Sequence, residues 1–218
     1  MRRNPWLALV AGGAILSLSL GIRQTFGLLL SPMSIDLGLN REAFALALAI
    51  QNLLWGFAQP IAGLIADRFG AARVLIGGTL VYALCLAAMA WAEGVVGYTL
   101  GAGLLVGLAL SGTSFPVVLG AVGRLVPAER RSMALGIASA GGSFGQFFMA
   151  PVGQALIAEQ GWSGALVVMA GLALLMAPLA VLVGGGRGHA VQAVLAEGER
   201  ALGQALADAH RSRGYWYL

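Results

Sequence analysis

Long apolar runs separated by short polar breaks dominate this chain from its first residues. Trp6 to Leu30 is apolar for long enough to make a helix of about 37 Å at 1.5 Å per residue, sufficient to cross a ~30 Å hydrocarbon core. It is too long for the apolar region of a cleaved signal peptide. Ser31-Pro32 predicts its end, and a polar loop through Asp36, Asn40, Arg41 and Glu42 follows. Five more runs predict spans at Ala43 to Ile65, Val74 to Trp91, Tyr98 to Val122, Ala134 to Ala158 and Ala165 to Val183. The expectation is an all-α, polytopic membrane helical bundle with six transmembrane helices over residues 1–183.

The spans differ in polarity. The third and sixth carry few or no hydrogen-bonding side chains, so they can face lipid. The first carries Ser17, Ser19, Arg23, Gln24 and Thr25; the second, Gln51, Asn52 and Gln59; the fourth, Ser111, Thr113 and Ser114; the fifth, Ser139, Ser143, Gln146 and Gln154. Polar groups at membrane depth must be buried together or face water. Gln51, Trp55 and Gln59 stand four apart on one stripe, with Asn52 beside them, and Ser139, Ser143 and Gln146 share a stripe on the fifth span. Both stripes fit a wet wall, and both also fit hydrogen bonding between helices with no substrate. The order polar, polar, bland, repeated once, reads as two three-helix repeats. Because three is odd, the second is inverted relative to the first. Gly97, Gly101, Gly103 and Gly107 in the fourth span, and Gly141 and Gly145 in the fifth, supply small faces for close helix packing.

Composition agrees with a membrane location and removes other classes. Hydrophobic residues make up 59% of the chain and charged residues 10%, against about 25% charge in soluble domains. The net charge of +4 does not mark a nucleic-acid surface, because the arginines sit in short loops. They follow topology instead. Arg2, Arg3, Arg68, Arg73, Arg124, Arg130, Arg131, Arg187, Arg200, Arg211 and Arg213 fall on one side of the predicted membrane and Arg41 alone on the other, which places both termini in the cytoplasm. All 13 basic residues are arginine, and with abundant alanine and glycine this points to a bacterial inner membrane. The lone Cys85 offers no disulfide or metal set, and no cofactor is expected. No Ser/His, Cys/His or paired-carboxylate set lies within a span, so an enzyme is disfavoured. A channel would need half-helix motifs or an acidic ring.

Residues 63–73, Gly-Leu-Ile-Ala-Asp-Arg-Phe-Gly-Ala-Ala-Arg, form a charged turn between the second and third spans. Gly63, Asp67, Arg68, Gly70 and Arg73 match the signature loop Gly-x-x-x-Asp-Arg-x-Gly of the major facilitator superfamily, with Ala71 and Ala72 where basic residues are common. From Trp6 to Val183 the chain resembles the amino-terminal half of such a transporter. Gly21-Ile-Arg-Gln-Thr-Phe-Gly27 and Gln51-Asn-Leu-Leu-Trp-Gly56 are most similar to the oxalate/formate and monocarboxylate carrier branch. The resemblance implies twelve spans in two bundles, substrate held between them, and alternating access. It also implies that Asp67 latches onto the opposite, missing C-terminal bundle. Residues 184–214, partly amphipathic and holding His189 and His210, would be the cytoplasmic linker, and 215–218 the start of a truncated seventh span.

Arg23 is the one charged residue within a predicted span, at a cost on the order of 3 kcal/mol at the bilayer centre. It either holds an anionic substrate, or snorkels to the interface, or pairs with Asp36. The candidate substrate wall is Arg23, Gln24, Gln51, Asn52, Trp55, Gln59, Ser114, Ser139, Ser143 and Gln146. The expected function is secondary active transport of a small organic anion such as a monocarboxylate. The alternatives are a non-transporting fragment, or a half that needs a second half or a second copy. Drug/proton antiport is disfavoured, since no Asp, Glu or His lies within a span.

Overall fold

The computed structural model describes residues 5–38 and 40–184. Arg2 and Arg3, the expected linker from residue 185 onward with both histidines, and the expected start of a seventh span lie outside the described residues.

Among the described residues the regular structure is all helical: α1 (Pro5–Gln24), α2 (Phe26–Leu37), α3 (Arg41–Phe69), α4 (Ala71–Met89), α5 (Gly94–Tyr98), a π-helical stretch (Thr99–Leu105), α6 (Val106–Thr113), α7 (Phe115–Leu125), a short 3₁₀ turn (Ala128–Arg130), α8 (Arg131–Leu174) and α9 (Met176–Val183). They make five helical segments long and apolar enough to cross a membrane. The last, Ala128–Val183, has 56 residues, roughly 84 Å if straight and far beyond a ~30 Å core. It is not straight. Gly161 has φ 70° and ψ 176°, a conformation that suits a residue without Cβ, and it breaks α8 between the fifth and sixth expected spans.

Segment ends follow local chemistry. Asn40 caps α3 by accepting the Ala43 N–H at 2.7 Å, and Glu42 sits in the first turn. Gly70, at φ 98°, donates its N–H to the Ala66 carbonyl at 2.9 Å, so α3 turns into α4 through a single residue. The expected stop at Ser31-Pro32 does not occur: α2 continues through Pro32 to Leu37. Neighbouring helices and hydroxyls let membrane helices tolerate an internal proline, and the Ser34 hydroxyl donates to the Ser31 carbonyl at 2.9 Å. The first segment bends earlier, at Thr25, whose hydroxyl donates to the Ile22 carbonyl at 2.7 Å. The fourth breaks at Ser114, which is extended (φ −105°, ψ −170°) and followed by Pro116 in the first turn of α7.

Two ends of the bundle can be assigned from contacts. At one, Asp67 pairs with Arg124, Pro5 and Trp6 share a small cavity with Pro127 and Arg130, and Gly184 lies against Ala72. This end gathers the arginine-rich turns. At the other, the Trp162 indole donates to Asp36 at 2.6 Å and the Ser163 hydroxyl to the Ala90 carbonyl at 2.7 Å. The stretch from Trp162 to Gly184 therefore runs back alongside α4.

Close packing is set by glycine. A Cβ on Gly145 would stand 2.1 Å from the Ser17 carbonyl oxygen, and one on Gly107 would stand 2.8 Å from that of Gln51. Both are too close for any side chain, so α8 lies directly on α1 and the fourth segment directly on α3. In each pair residue numbers rise together, Gly13 with Gly141 and Ser17 with Gly145, Ala47 with Gly103 and Gln51 with Gly107, which makes both pairs parallel. Other contacts include α1 with α9, α4 with α6, α4 with α8, α4 with α9 and α1 with α7.

Candidate functional site

Arg23 lies in the last turn of α1, two residues before Thr25. Its guanidinium donates through Nη2 to Asn52 Oδ1 on α3 and stacks over the Trp55 ring, with Cζ 4.8 Å from the centroid. Asn52 is pinned in that role. Its Nδ2 donates to the Leu48 carbonyl at 2.9 Å, one helical turn back, which leaves the amide oxygen for Arg23. The three residues come together from two segments because Asn52 and Trp55 are three apart on one face of α3.

Among the described residues no acidic side chain forms an ion pair with Arg23. Asp36 accepts from Trp162, so the expected alternative pairing with Arg23 is not the one formed. Among the described residues the ion pair is Arg124 with Asp67, at the other end of the bundle. Two donors beside the cluster, Arg23 Nε and Trp55 Nε1, are buried and have no hydrogen-bond partner among the described residues. The half-buried guanidinium is thus stacked and held by neutral groups, with donors to spare and no counter-charge among the described residues.

The other expected wall residues divide. Gln24 is exposed next to Arg23, Gln59 is half-buried on the α3 stripe, and on α8 Ser143 is exposed while Ser139 and Gln146 are half-buried. Gln51 and Ser114 lie away from the open face. Gln51 is fully buried and donates from Nε2 to the Ala102 carbonyl at 2.9 Å, inside the π-helical stretch. Such a wide turn leaves backbone carbonyls without their usual partners, and a neighbouring amide supplies one. Ser114, also fully buried, forms the break in the fourth segment. Ser19 and Thr113 bond to each other at 2.9 Å beneath it, joining α1 to α6.

In the charged turn, Asp67 accepts from Arg124 at 2.6 Å within this chain. Arg68 is exposed over the Phe69 ring, Arg73 is exposed, Gly70 makes the turn, and Gly63 faces Pro116. Sequence patterns do not reveal the Asp67–Arg124 pair or the groove near it, because 57 residues separate the partners. Pro116 after Ser114 was the one legible sign of the break there.

A sequence profile for the Major Facilitator Superfamily matches residues 8–217. Monocarboxylate transporter 11 of Mus musculus is 30% identical over 184 residues, covering 82% of this chain and 39% of that protein. The Homo sapiens protein of the same name is 30% identical over 182 residues, covering 82% and 37%. Probable anion transporter 4, chloroplastic, of Arabidopsis thaliana is 29% identical over 161 residues, covering 71% and 30%. The chain spans about two fifths of the length of the monocarboxylate transporters it matches first. A crystal structure of the peptide transporter POT in complex with alafosfalin superposes with a TM-score of 0.69 at 20% identity, covering 93% of this chain and 46% of that one. That likeness shows the fold.

Proposed function

This chain belongs to the major facilitator superfamily, and from that premise we propose that it forms one wall of a secondary active transporter for a small organic anion such as a monocarboxylate. The observation that carries the reading is Arg23. A guanidinium at membrane depth costs on the order of 3 kcal/mol by insertion scales, and Asn52 and Trp55 hold it without neutralising it. A carboxylate would complete it, because its two oxygens match the guanidinium fork. The exposed Gln24, Asn52 and Ser143 give the anion a wet approach. The names of the matched monocarboxylate and anion transporters favour the same charge.

The fold is taken as six crossings over residues 1–183, with Gly161 turning the fifth into the sixth. The arginine-rich end is placed in the cytoplasm of a bacterial inner membrane, since Arg68, Arg73, Arg124, Arg130 and Arg131 gather there and Arg41 lies near the other end. A second six-span bundle closes the site and receives the Asp67 turn, and access alternates by rocking. The test is uptake of radiolabelled acetate and pyruvate into vesicles holding this chain with its second half. Arg23→Gln is expected to abolish uptake while leaving insertion intact. Unchanged affinity in that variant retires the reading. A second reading, that the chain alone transports nothing, is favoured by its covering 39% of a matched transporter. Uptake by the chain by itself, as a monomer or with a second copy, would exclude it.

A further inference from the structure

At the arginine-rich end an open groove of about 570 Å³ runs between α7 and α8. Phe115, Leu119 and Leu135 give it an apolar floor, and Arg124 and Arg131 stand at its rim. Arg124 is engaged with Asp67. Arg131 is exposed and has no ion pair among the described residues. Its aliphatic stem lies along the missing side chain of Gly123, where a Cβ would stand 3.8 Å from Arg131 Cδ. The groove therefore offers one free guanidinium above a dry floor, with a second guanidinium half-neutralised beside it.

Helical spacing continues this wall inward. Arg131 and Leu135 of the groove stand two turns and one turn before Ser139 on α8, at the arginine-rich end of the helix that carries Ser139 and Ser143. On the facing side Gly63 of α3 meets Pro116 of α7.

We propose that this groove is a second anion site, one that takes an organic carboxylate with an apolar body before it reaches Arg23. The carboxylate sits on Arg131, and the body lies on Phe115, Leu119 and Leu135. A bare inorganic anion would leave that floor wet, and a neutral apolar compound would leave Arg131 unused, so the groove selects molecules with both parts. The proposal takes from the proposed function the sign of the substrate's charge and the onward site at Arg23, while binding in the groove itself needs neither. Arg23 is not among the groove's residues, so the two readings fail separately.

The experiment is a ¹⁹F NMR titration of 4-fluorobenzoate into the purified 218-residue chain in neutral detergent, with 4-fluorobenzamide as the uncharged match. Saturable 4-fluorobenzoate binding is expected to persist in Arg23→Gln. It should weaken by about tenfold or more when Arg131→Gln is added, be largely regained with Arg131→Lys, and fall as sodium chloride is raised. Circular dichroism and gel filtration show that each variant is folded. The proposal is overturned if the Arg23→Gln protein shows no saturable binding, if Arg131→Gln leaves its binding unchanged, or if 4-fluorobenzamide binds as tightly. If instead Arg23→Gln binds as the parent does and Arg131→Gln alone removes all binding, the groove stands and the role given to Arg23 falls.

Discussion

Replacing Asn52 by aspartate separates a structural from a substrate role for Arg23. The substitution keeps size and shape but puts a carboxylate oxygen where the amide oxygen now accepts from the guanidinium. Two unit charges at about 4 Å attract by roughly 4 kcal/mol at an effective dielectric of 20. Asn52 is exposed and Arg23 only half-buried, so screening and the desolvation of the new carboxylate leave at most about 1 kcal/mol. The donor to the Leu48 carbonyl is lost, which offsets a few tenths of that. The protein should therefore melt slightly higher in detergent, followed by tryptophan fluorescence. The same internal carboxylate competes with any anion for the guanidinium, so 4-fluorobenzoate binding at this site and acetate uptake by the assembled transporter should weaken several-fold. If Arg23 were only a packing residue, Asn52→Asp would stabilise and leave uptake alone, and that pair of results would refute the reasoning. A destabilised variant would refute it from the other direction, by showing that the guanidinium already has a counter-charge.

Trp55→Phe should keep most anion affinity, because the stacked ring remains, while Trp55→Ala should lower it by about threefold to thirtyfold in the same titration, the range expected for losing a cation–π contact. Gly145→Ala should cost about 1–3 kcal/mol in detergent melts because its Cβ would meet the Ser17 carbonyl, whereas Gly136→Ala, with nothing within 4 Å, should be neutral. Asp67→Asn should change the melting temperature little, since a pair about one-third exposed is worth at most about 1 kcal/mol; a drop of many degrees would give that turn a larger role in the fold. Single cysteines at positions 68 and 131, introduced with Cys85 removed, should react with an impermeant reagent from one side of the membrane and one at position 93 from the other. Labelling of 68 and 131 from opposite sides would undo the assignment of ends.

Apolar run length and loop arginines made the helical segments and their alternation legible, because a bilayer imposes both on any sequence. Close packing on one face of α8 was legible too, through Gly141 and Gly145, though not that α1 is the helix it meets. What escaped was where helices bend. Ser31-Pro32 has the form of a stop and is not one, since the backbone groups a proline frees can be met by neighbours in the bundle. The bend falls instead at Thr25, through a hydroxyl bonded to its own helix, and the π-helical stretch at Thr99–Leu105 is completed by Gln51 from another segment. The second cannot be read without knowing the neighbour, and the first turns on which way one hydroxyl points. Gln51 illustrates the limit most directly. It stands in register with Trp55 and Gln59, yet it is turned into the packing, because a stripe four residues wide drifts around the helix and only part of it can face the open side.

The two bends also bear on why Arg23 is there at all. Thr25 interrupts the first segment and Ser114 the fourth, each after about 20 helical residues, and the segments pack alike, α1 on α8 and the fourth segment on α3. The scaffold is therefore built twice, and its needs at the two bends can be compared. Before Ser114 the last turn is Ser111, Gly112 and Thr113, all neutral and buried, and it is held by the Thr113–Ser19 bond and the contact of Gly112 with Gly78. Before Thr25 the corresponding turn carries Arg23 and Gln24, one half-buried and the other exposed. The fourth segment is interrupted without any charge, although there the backbone is extended at Ser114 while Thr25 keeps helical angles. The guanidinium is an addition to the scaffold at a net cost, and its two neutral attachments, the Trp55 ring and Asn52 Oδ1, the latter held by the bond of Asn52 to the Leu48 carbonyl, orient it without repaying that cost. An anion that comes and goes is what would repay it.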